Sequence, residues 1–371
     1  MVLNISDEKF KSIFSNGKFY LPIRWDNNDF VKTLKNLFEE YLKVICQEHG
    51  LNVSWGNYSD ITINDDTIRQ VCDLLVLVVE KYLNGFPADA FKSFGELMRL
   101  LEQKPLKTYS KSITEHFDGS NYHDPLDLFR ITCVNENAPY DRSRVFHTPY
   151  CLRSKVSTSR YSIAGFPSLY LGTSLELCRE EVHYNPHEQF ALASRFQLER
   201  NFESNNIDIK VIELAIKPQD FFAERSRIDI NRKTRIVPEN ILELKSVREA
   251  YLMWYPLIAA CSFIRVNKKD PFAVEYIIPQ LLMQWVRSEI GTPKKSYKRL
   301  VGIRYFSCAS VSASDLGFNY VFPASGKRSK KSFCPILSGA FKLTKPYYLH
   351  EYPDIRFCEQ ALQSDHNLDY I

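Results

Sequence analysis

The hydrophobic rhythm of this chain changes once, near Pro105, and that change constrains the fold more than any other feature. Before it, apolar residues recur every three or four positions. Val31, Leu34, Phe38, Tyr41 and Ile45 make one stripe, and Ile68, Val71, Leu75, Val78 and Tyr82 make a second. That spacing predicts amphipathic helices, and Asp65 or Asp66 offers a cap for the second. A third piece begins after Pro87 and carries Phe91, Phe94, Met98 and Leu101. Three such helices with short connections predict a small bundle. Its plainest use is packing and partner contact without chemistry.

Lys104–Asp127 is polar and reads as a linker. Beyond it come short apolar or alternating runs of the kind that form strands. Leu126–Thr132, Ser168–Leu171, Ile207–Ile216, Ala273–Ile278, Arg299–Ser307 and Asn319–Phe322 are the candidates. Helices are interleaved. One starts at Thr173, where Thr173 and Glu176 match a capping box. Another runs from about Ile241 to Phe263 with Leu244, Val247, Tyr251, Trp254, Ile258 and Cys261 on one face. A third follows Pro279, a residue suited to a helix's first turn. Strands without regular strand–helix alternation predict an α+β fold with mixed or antiparallel sheets rather than a doubly wound one. The expected domains are a helical part, 1–107, and a second part, 108–371.

Composition narrows the function classes. The 371 residues are 44% hydrophobic and 25% charged, as in ordinary globular proteins. A balance of 48 − 44 = +4 is too mild to argue for nucleic acid or a membrane surface. Acids such as Glu39, Glu40 and Glu48 also interrupt the lysines Lys32, Lys35 and Lys43. Nine scattered cysteines contain no C-x-x-C pair, which argues against zinc and against a disulfide framework. No signal segment or bilayer-length apolar run is present, so the expectation is a cytoplasmic protein. Neither G-x-G-x-x-G nor a Walker pattern occurs, and the basic run Lys327–Lys331 reads as a solvated loop.

The chemistry-bearing candidates cluster between Arg144 and Val182. Arg160 stands just before a Gly-Phe-Pro turn, where a guanidinium can lean from a strand end into a cleft; its plain alternative is a surface ion pair. Tyr170 lies in an apolar strand and could equally be core. Glu181 follows the expected cap by eight positions (181 − 173 = 8) and adjoins Glu180. Side by side on a helix, the two acids cannot both face one cleft. Ser307 ends the strand GIRYFS, where a hydroxyl orients a ligand or caps a turn. His147 is the histidine nearest the Arg160 stretch. A serine-hydrolase reading fails for want of G-x-S-x-G.

In order and spacing these residues resemble the RES-domain family, which consumes NAD on a fold related to the ADP-ribosyltransferase toxins. Phe129–Arg130 looks like that family's aromatic–Arg pair, and Arg160–Tyr161 like its Arg–aromatic pair. LYLG, with Tyr170, is similar to its LYLA-type strand. A glutamate about eleven residues further selects Glu181 over Glu180 (181 − 170 = 11). Gly302–Ser307 resembles its Gly-Ile-x-Tyr-x-Ser strand, and NYVFP its following strand. The resemblance covers about residues 126–325, with an insertion at about 183–270, and is closest to a longer subgroup with a helical N-terminal region and an EYIIPQLL segment, here Glu275–Leu282. Two departures stand out. Glutamate and serine are 307 − 181 = 126 residues apart, more than in the small toxins of the family, and Tyr161 replaces a tryptophan.

The resemblance implies an enzyme that cleaves the nicotinamide–ribose bond of NAD, without a metal. Arg160, Glu181 and Ser307 would be catalytic, and Arg130, Tyr161, Tyr170 and His147 would bind NAD. Water or phosphate would accept the ADP-ribose, making a glycohydrolase or a phosphorylase. The protein would be a growth-arresting toxin or defence effector, for instance against phage. An antitoxin, a regulatory protein or a second copy of the chain are the partners it suggests. The alternatives are a protein ADP-ribosyltransferase, and an RNA-binding or interaction protein without NAD chemistry.

Overall fold

A computed structural model describes residues 2–5, 7–15, 17–26, 28–47, 61–103, 107–109, 115–117, 123–198, 208–221, 245–290, 298–324 and 332–371. Helices are α1 (Asp7–Ser15), α2 (Phe30–Gln47), α3 (Asp65–Leu83), α4 (Pro87–Leu101), α5 (Leu175–Val182), α6 (Lys245–Ala260), α7 (Ile277–Ile290), α8 (Pro335–Ala340) and α9 (Ile355–Ser364). Strands begin with β1 (Val2–Ile5), β2 (Ile61–Asn64), β3 (Lys107–Tyr109), β4 (Glu115–Phe117), β5 (His123–Pro125) and β6 (Leu128–Val134). They continue with β7 (Ser168–Gly172), β8 (Phe190–Leu198), β9 (Asp208–Leu214), β10 (Lys298–Phe306), β11 (Phe318–Pro323), β12 (Phe341–Leu343) and β13 (Tyr347–Tyr348). The fold is α+β.

Contacts divide the chain into two units. The first holds the described residues of Met1–Leu106, Ile216–Ile228 and Val237–Leu282, and the second those of Lys107–Ala215 and Met283–Ile371. In the first, the predicted stripes are buried except at one end of each, where Val31 and Tyr82 are half-buried: Leu34, Phe38, Tyr41 and Ile45 on α2, and Ile68, Val71, Leu75 and Val78 on α3. On α4 the buried set is Phe94, Leu97, Met98 and Leu101. These faces surround α6, whose residues from Ala250 to Ala260, Pro256 included, are all buried. A helix apolar all round belongs at the centre of a bundle. Sequence alone grouped this segment with the later part of the chain; its contacts group it with the N-terminal helices. Phe14 packs against Phe10, Phe19, Tyr41, Tyr251 and Tyr255. Three buried phenols find backbone acceptors: Tyr41 on Leu252 O at 2.9 Å, Tyr251 on Ile216 O at 3.1 Å and Tyr255 on Phe19 O at 3.2 Å.

The second unit is built on a nine-stranded sheet in the order β12-β8-β6-β7-β11-β10-β9-β3, with β13 also on β8. Its pairings are antiparallel except β9 with β10, so the sheet is mixed. Gly302 allows a close approach of strands: a Cβ there would lie 2.4 Å from Val321 O of the neighbouring strand.

Several sequence expectations need correction. Ala273–Ile278 is a 3-10 turn, Val274–Tyr276, running into α7, and α7 starts two residues before Pro279. A short apolar run does not by itself distinguish strand from buried helix. The polar stretch read as linker contributes β3, β4 and β5. FALASRFQL, within the expected insertion, is β8, paired along seven residues with β6. Val2–Ile5 and Ile61–Asn64 form an antiparallel ribbon in the part expected to be all helical. The basic run at 327–331, residues 241–244 of the expected long helix and residues 222–240 of the expected insertion lie outside the described residues.

Candidate active site

One face of the sheet gathers the candidate residues. Across the ladder, Tyr305 on β10 faces Asn319 on β11, and Asn319 faces Gly172 on β7. Two residues along, Tyr170 faces Val321. Successive side chains on a strand alternate faces, so Tyr305, Asn319 and Tyr170 project from the same one.

Over this face lies α5. Its N-cap is Ser174 rather than the expected Thr173, because Thr173 is still held by the sheet: it exchanges bonds with Phe318 through its own N–H (3.0 Å) and its Oγ1 (2.9 Å). Ser174 Oγ accepts from Leu177 N at 3.2 Å and donates to Leu316 O at 3.0 Å. Glu359 on α9 accepts from Leu175 N at 2.6 Å, placing a carboxylate at the positive end of the helix. Leu175 and Cys178 are buried with Phe129 and Ile131, and Cys178 Sγ lies 3.2 Å from Phe129 O. Burial pushes that thiol up to about 12, so it stays neutral. The helix ends at His183, in the left-handed region at φ 52°.

Glu180 and Glu181 separate as helical geometry requires. Glu180 pairs with Arg179 at 3.5 Å. Glu181 instead meets the sheet, its Oε1 accepting from Asn319 Nδ2 at 2.6 Å.

The Arg160 turn is tied down by hydroxyls. Ser162 Oγ donates to Ser159 O at 2.9 Å and accepts from Ser159 N at 3.0 Å. Tyr170 donates its single phenolic proton to Tyr161 O at 2.7 Å, so Ser159 Oγ, 2.6 Å away, must be donor to Tyr170. Tyr170 therefore grips the residues on both sides of Arg160. Arg160 is buried, and so is Tyr161, whose ring lies 4.6 Å from that of Tyr305. Tyr161 thus acts as packing for Tyr305 rather than as an open contact surface.

Tyr305 is the common neighbour. Burial holds its hydroxyl well above the usual phenol range, the charges of Glu181 and Tyr170 raise it further, and Arg160 partly offsets them. Four of the residues singled out from sequence, Arg160, Tyr161, Tyr170 and Glu181, are thereby brought together. The other three differ. Arg130 donates through Nη1 to Tyr170 O at 3.1 Å, where β6 and β7 share the single pair Phe129–Gly172. Burial lowers its guanidinium to about 10, still charged at neutral pH, and its Nε has no partner among the described residues. Ser307 is fully buried, with its Oγ accepting from Ala309 N at 3.2 Å, so it caps a turn. His147 is fully buried among Phe146, Tyr150 and Phe333. Its Nε2 accepts from Cys334 N at 3.0 Å, which fixes Nδ1 as the donor to Thr148 O at 2.9 Å. Burial lowers it to about 4. Both nitrogens are used internally, so the geometry gives His147 a structural part instead of the expected substrate contact.

Sequence reasoning missed Tyr305, Asn319, Ser159 and Ser162. Asn319 left one trace: it is the lone amide in the otherwise apolar strand FNYVFP. Among the described residues no cluster of three or more His, Cys, Asp or Glu could hold a metal, and no helix is long and apolar enough to cross a membrane. The chemical inventory is a sheet-anchored carboxylate, a buried guanidinium in a braced turn, and a phenol kept protonated between them.

No protein-family model matches the chain, and no solved structure matches it. Over 341 residues the chain is 29% identical to a protein of Bacillus subtilis (strain 168) that bears the name "Putative toxin YopC". The alignment takes in 90% of this chain and 69% of that protein. The chain is thus similar, over most of its length, to a protein named as a toxin.

Proposed function

We propose that the protein is a RES-like enzyme that breaks the nicotinamide–ribose bond of NAD and arrests growth by draining the dinucleotide. The observation that carries this reading is the convergence of the Arg160 turn and Glu181 on Tyr305: the ring of Tyr161 lies 4.6 Å from that of Tyr305, and Asn319, the ladder partner of Tyr305, holds Glu181 at 2.6 Å. As the glycosidic bond breaks, its electron pair leaves with nicotinamide and the ribose gains positive charge, as in glycoside hydrolysis. A carboxylate fixed beside that carbon stabilises the cation. Guanidinium groups suit the pyrophosphate, which they can grip at two oxygens; Arg160, with Arg130 behind the Tyr170 carbonyl, would serve here. Water, phosphate or a protein side chain would then take the ADP-ribose. The name of the Bacillus subtilis relative supports a growth-arresting role, and with it an antitoxin as partner.

The test is incubation of the purified chain with NAD, with and without phosphate, and identification of the products. Nicotinamide with ADP-ribose indicates water as acceptor, nicotinamide with a phosphorylated ADP-ribose indicates phosphate, and a mass gain on protein indicates transfer. Absence of nicotinamide release at catalytic enzyme concentrations contradicts the proposal.

A further inference from the structure

Glu181 stands at an unfavourable place for an anion. It occupies the last turn of α5, where the helix dipole is negative, and a second carboxylate, Glu180, adjoins it. Arg179, the cation on the same helix turn, is bonded to Glu180. Among the described residues, the hydrogen-bond donor to Glu181 is the amide of Asn319. Glu181 is exposed, so without that bond its three side-chain torsions would be unconstrained by packing.

Asn319 is its opposite. It is 4% exposed, within a strand whose six residues are all buried. Burying a primary amide is less favourable than burying a hydrocarbon of the same size unless its hydrogen bonds are met. Its ladder partner is Gly172, where a Cβ would stand 2.8 Å from Cys178 Sγ but at an ordinary 3.5 Å from Asn319 Oδ1. Glycine there lets α5 set Cys178 close against the strand, beside the point where the Asn319 amide reaches the helix.

We propose that Asn319 is the positioning residue for Glu181. A carboxylate only accepts, so the amide must turn its nitrogen toward it, and the 2.6 Å bond fixes Oε1. Oε2 is left for a substrate hydroxyl. Rigid backing of this kind matters because a reacting group must be held close to its productive geometry. The catalytic part of the inference rests on the NAD-cleaving reading; the contact itself rests on geometry.

The test uses the full chain with Asn319→Asp and Asn319→Ala, beside wild type and Glu181→Gln. Aspartate keeps the shape and replaces the donor with a repelling acceptor, while alanine removes the contact. In both variants kcat for nicotinamide release is expected to fall about tenfold or more, aspartate falling further, with KM for NAD changed by less than about threefold. Crystal structures should show Glu181 ordered on the amide in wild type and spread over rotamers in Asn319→Ala. An ordered Glu181 with unchanged kcat in that variant overturns the proposal while leaving NAD cleavage intact. A rise in KM alone also overturns it, because Asn319 would then be contacting substrate. So does a kcat loss matched by loss of folded protein with Glu181 still in place. Should wild type release no nicotinamide, the functional reading fails, and the order of Glu181 in the two crystals still decides the positioning role.

Discussion

The two units both bury large aromatic side chains but treat polar groups differently. In the helical unit the buried phenols of Tyr41, Tyr251 and Tyr255 satisfy themselves on backbone carbonyls, and the ion pairs Lys18–Glu40 and Lys35–Glu80 lie at the surface. The sheet unit takes its ion pairs inside: Arg304–Glu213 at 2.6 Å and Arg195–Asp127 at 3.1 Å. It also buries Arg160, the Nε of Arg130, and the amide that holds Glu181. Buried charge is expensive and rarely the best route to stability. Among the described residues the sheet unit buries four charged side chains, Arg160, Arg195, Glu213 and Arg304, and the helical unit two, Lys217 and Glu275. That weighting marks where the fold gives up most stability for a defined polar arrangement, and perturbed titrating groups gather at functional sites for the same reason.

The comparison can be broken most severely by cutting between the sequence-level domains. A chain starting near residue 108 would strip α6 of Phe14, Tyr41 and α3 and expose Tyr251, Leu252 and Tyr255. We expect it to be insoluble, whereas the uncut chain is monodisperse; size-exclusion chromatography of the two decides. A soluble, cooperatively melting fragment would show that α6 does not need the N-terminal helices.

Breaking a buried pair comes next. Glu213→Gln or Arg304→Met alone should destabilise the sheet unit by about 3–5 kcal/mol, since each leaves an uncompensated buried charge or polar group. Arg304 also lies 4.0 Å over the Phe318 ring. Replacing both partners with apolar residues, Glu213→Leu with Arg304→Met, should recover much of the loss, measured by denaturant unfolding. Equal loss in single and double variants would argue against pairing as the cause.

His147 makes the contrast pH-dependent. Its native value is about 4 against an ordinary 6.5, so the unfolded chain binds the proton first. Its contribution is therefore full above pH 6.5, declines as pH falls, and is lost by about pH 4, for a total of about 3 kcal/mol. The drop in stability between pH 7 and 4.5 should be smaller in His147→Asn than in wild type. An identical drop would mean that His147 is protonated in the native state.

The smallest expected effect is in the helical unit. Tyr41→Phe should lose about 1–2 kcal/mol, by leaving Leu252 O without its donor, and should leave NAD cleavage per folded molecule unchanged. A changed turnover would tie the aromatic core to the chemistry.

What was legible in the sequence was what local periodicity encodes. The stripes through Leu34 and Ile68 are buried as spaced, because helical neighbours are three and four residues apart. Helical spacing likewise said that Glu180 and Glu181 could not share one cleft, and it was the family resemblance that singled out Glu181. The strand β8 was not visible, because Ala191, Ala193 and Ser194 dilute its apolar signal and its burial comes from β6 and β12 on either side. The brace from Tyr170 to Ser159 and Tyr161, and the bond from Asn319 to Glu181, join segments through tertiary contact that no spacing records. The internal bonds of both His147 ring nitrogens were not visible either, because proximity in sequence to Arg160 says nothing about where those nitrogens point.

The central claim concerns one carboxylate among two neighbours, and it is tested most directly by kinetics of nicotinamide release from NAD in Glu181→Gln and Glu180→Gln. The account predicts a loss on the order of a hundredfold or more for Glu181→Gln, with unchanged thermal stability, because the amide keeps the volume but not the charge that stabilises the ribosyl cation. Glu180→Gln, which removes one of the two ion pairs of Arg179 and leaves that with Glu176, should stay near wild type. Equal losses in both variants, or near-normal turnover in Glu181→Gln, would contradict it.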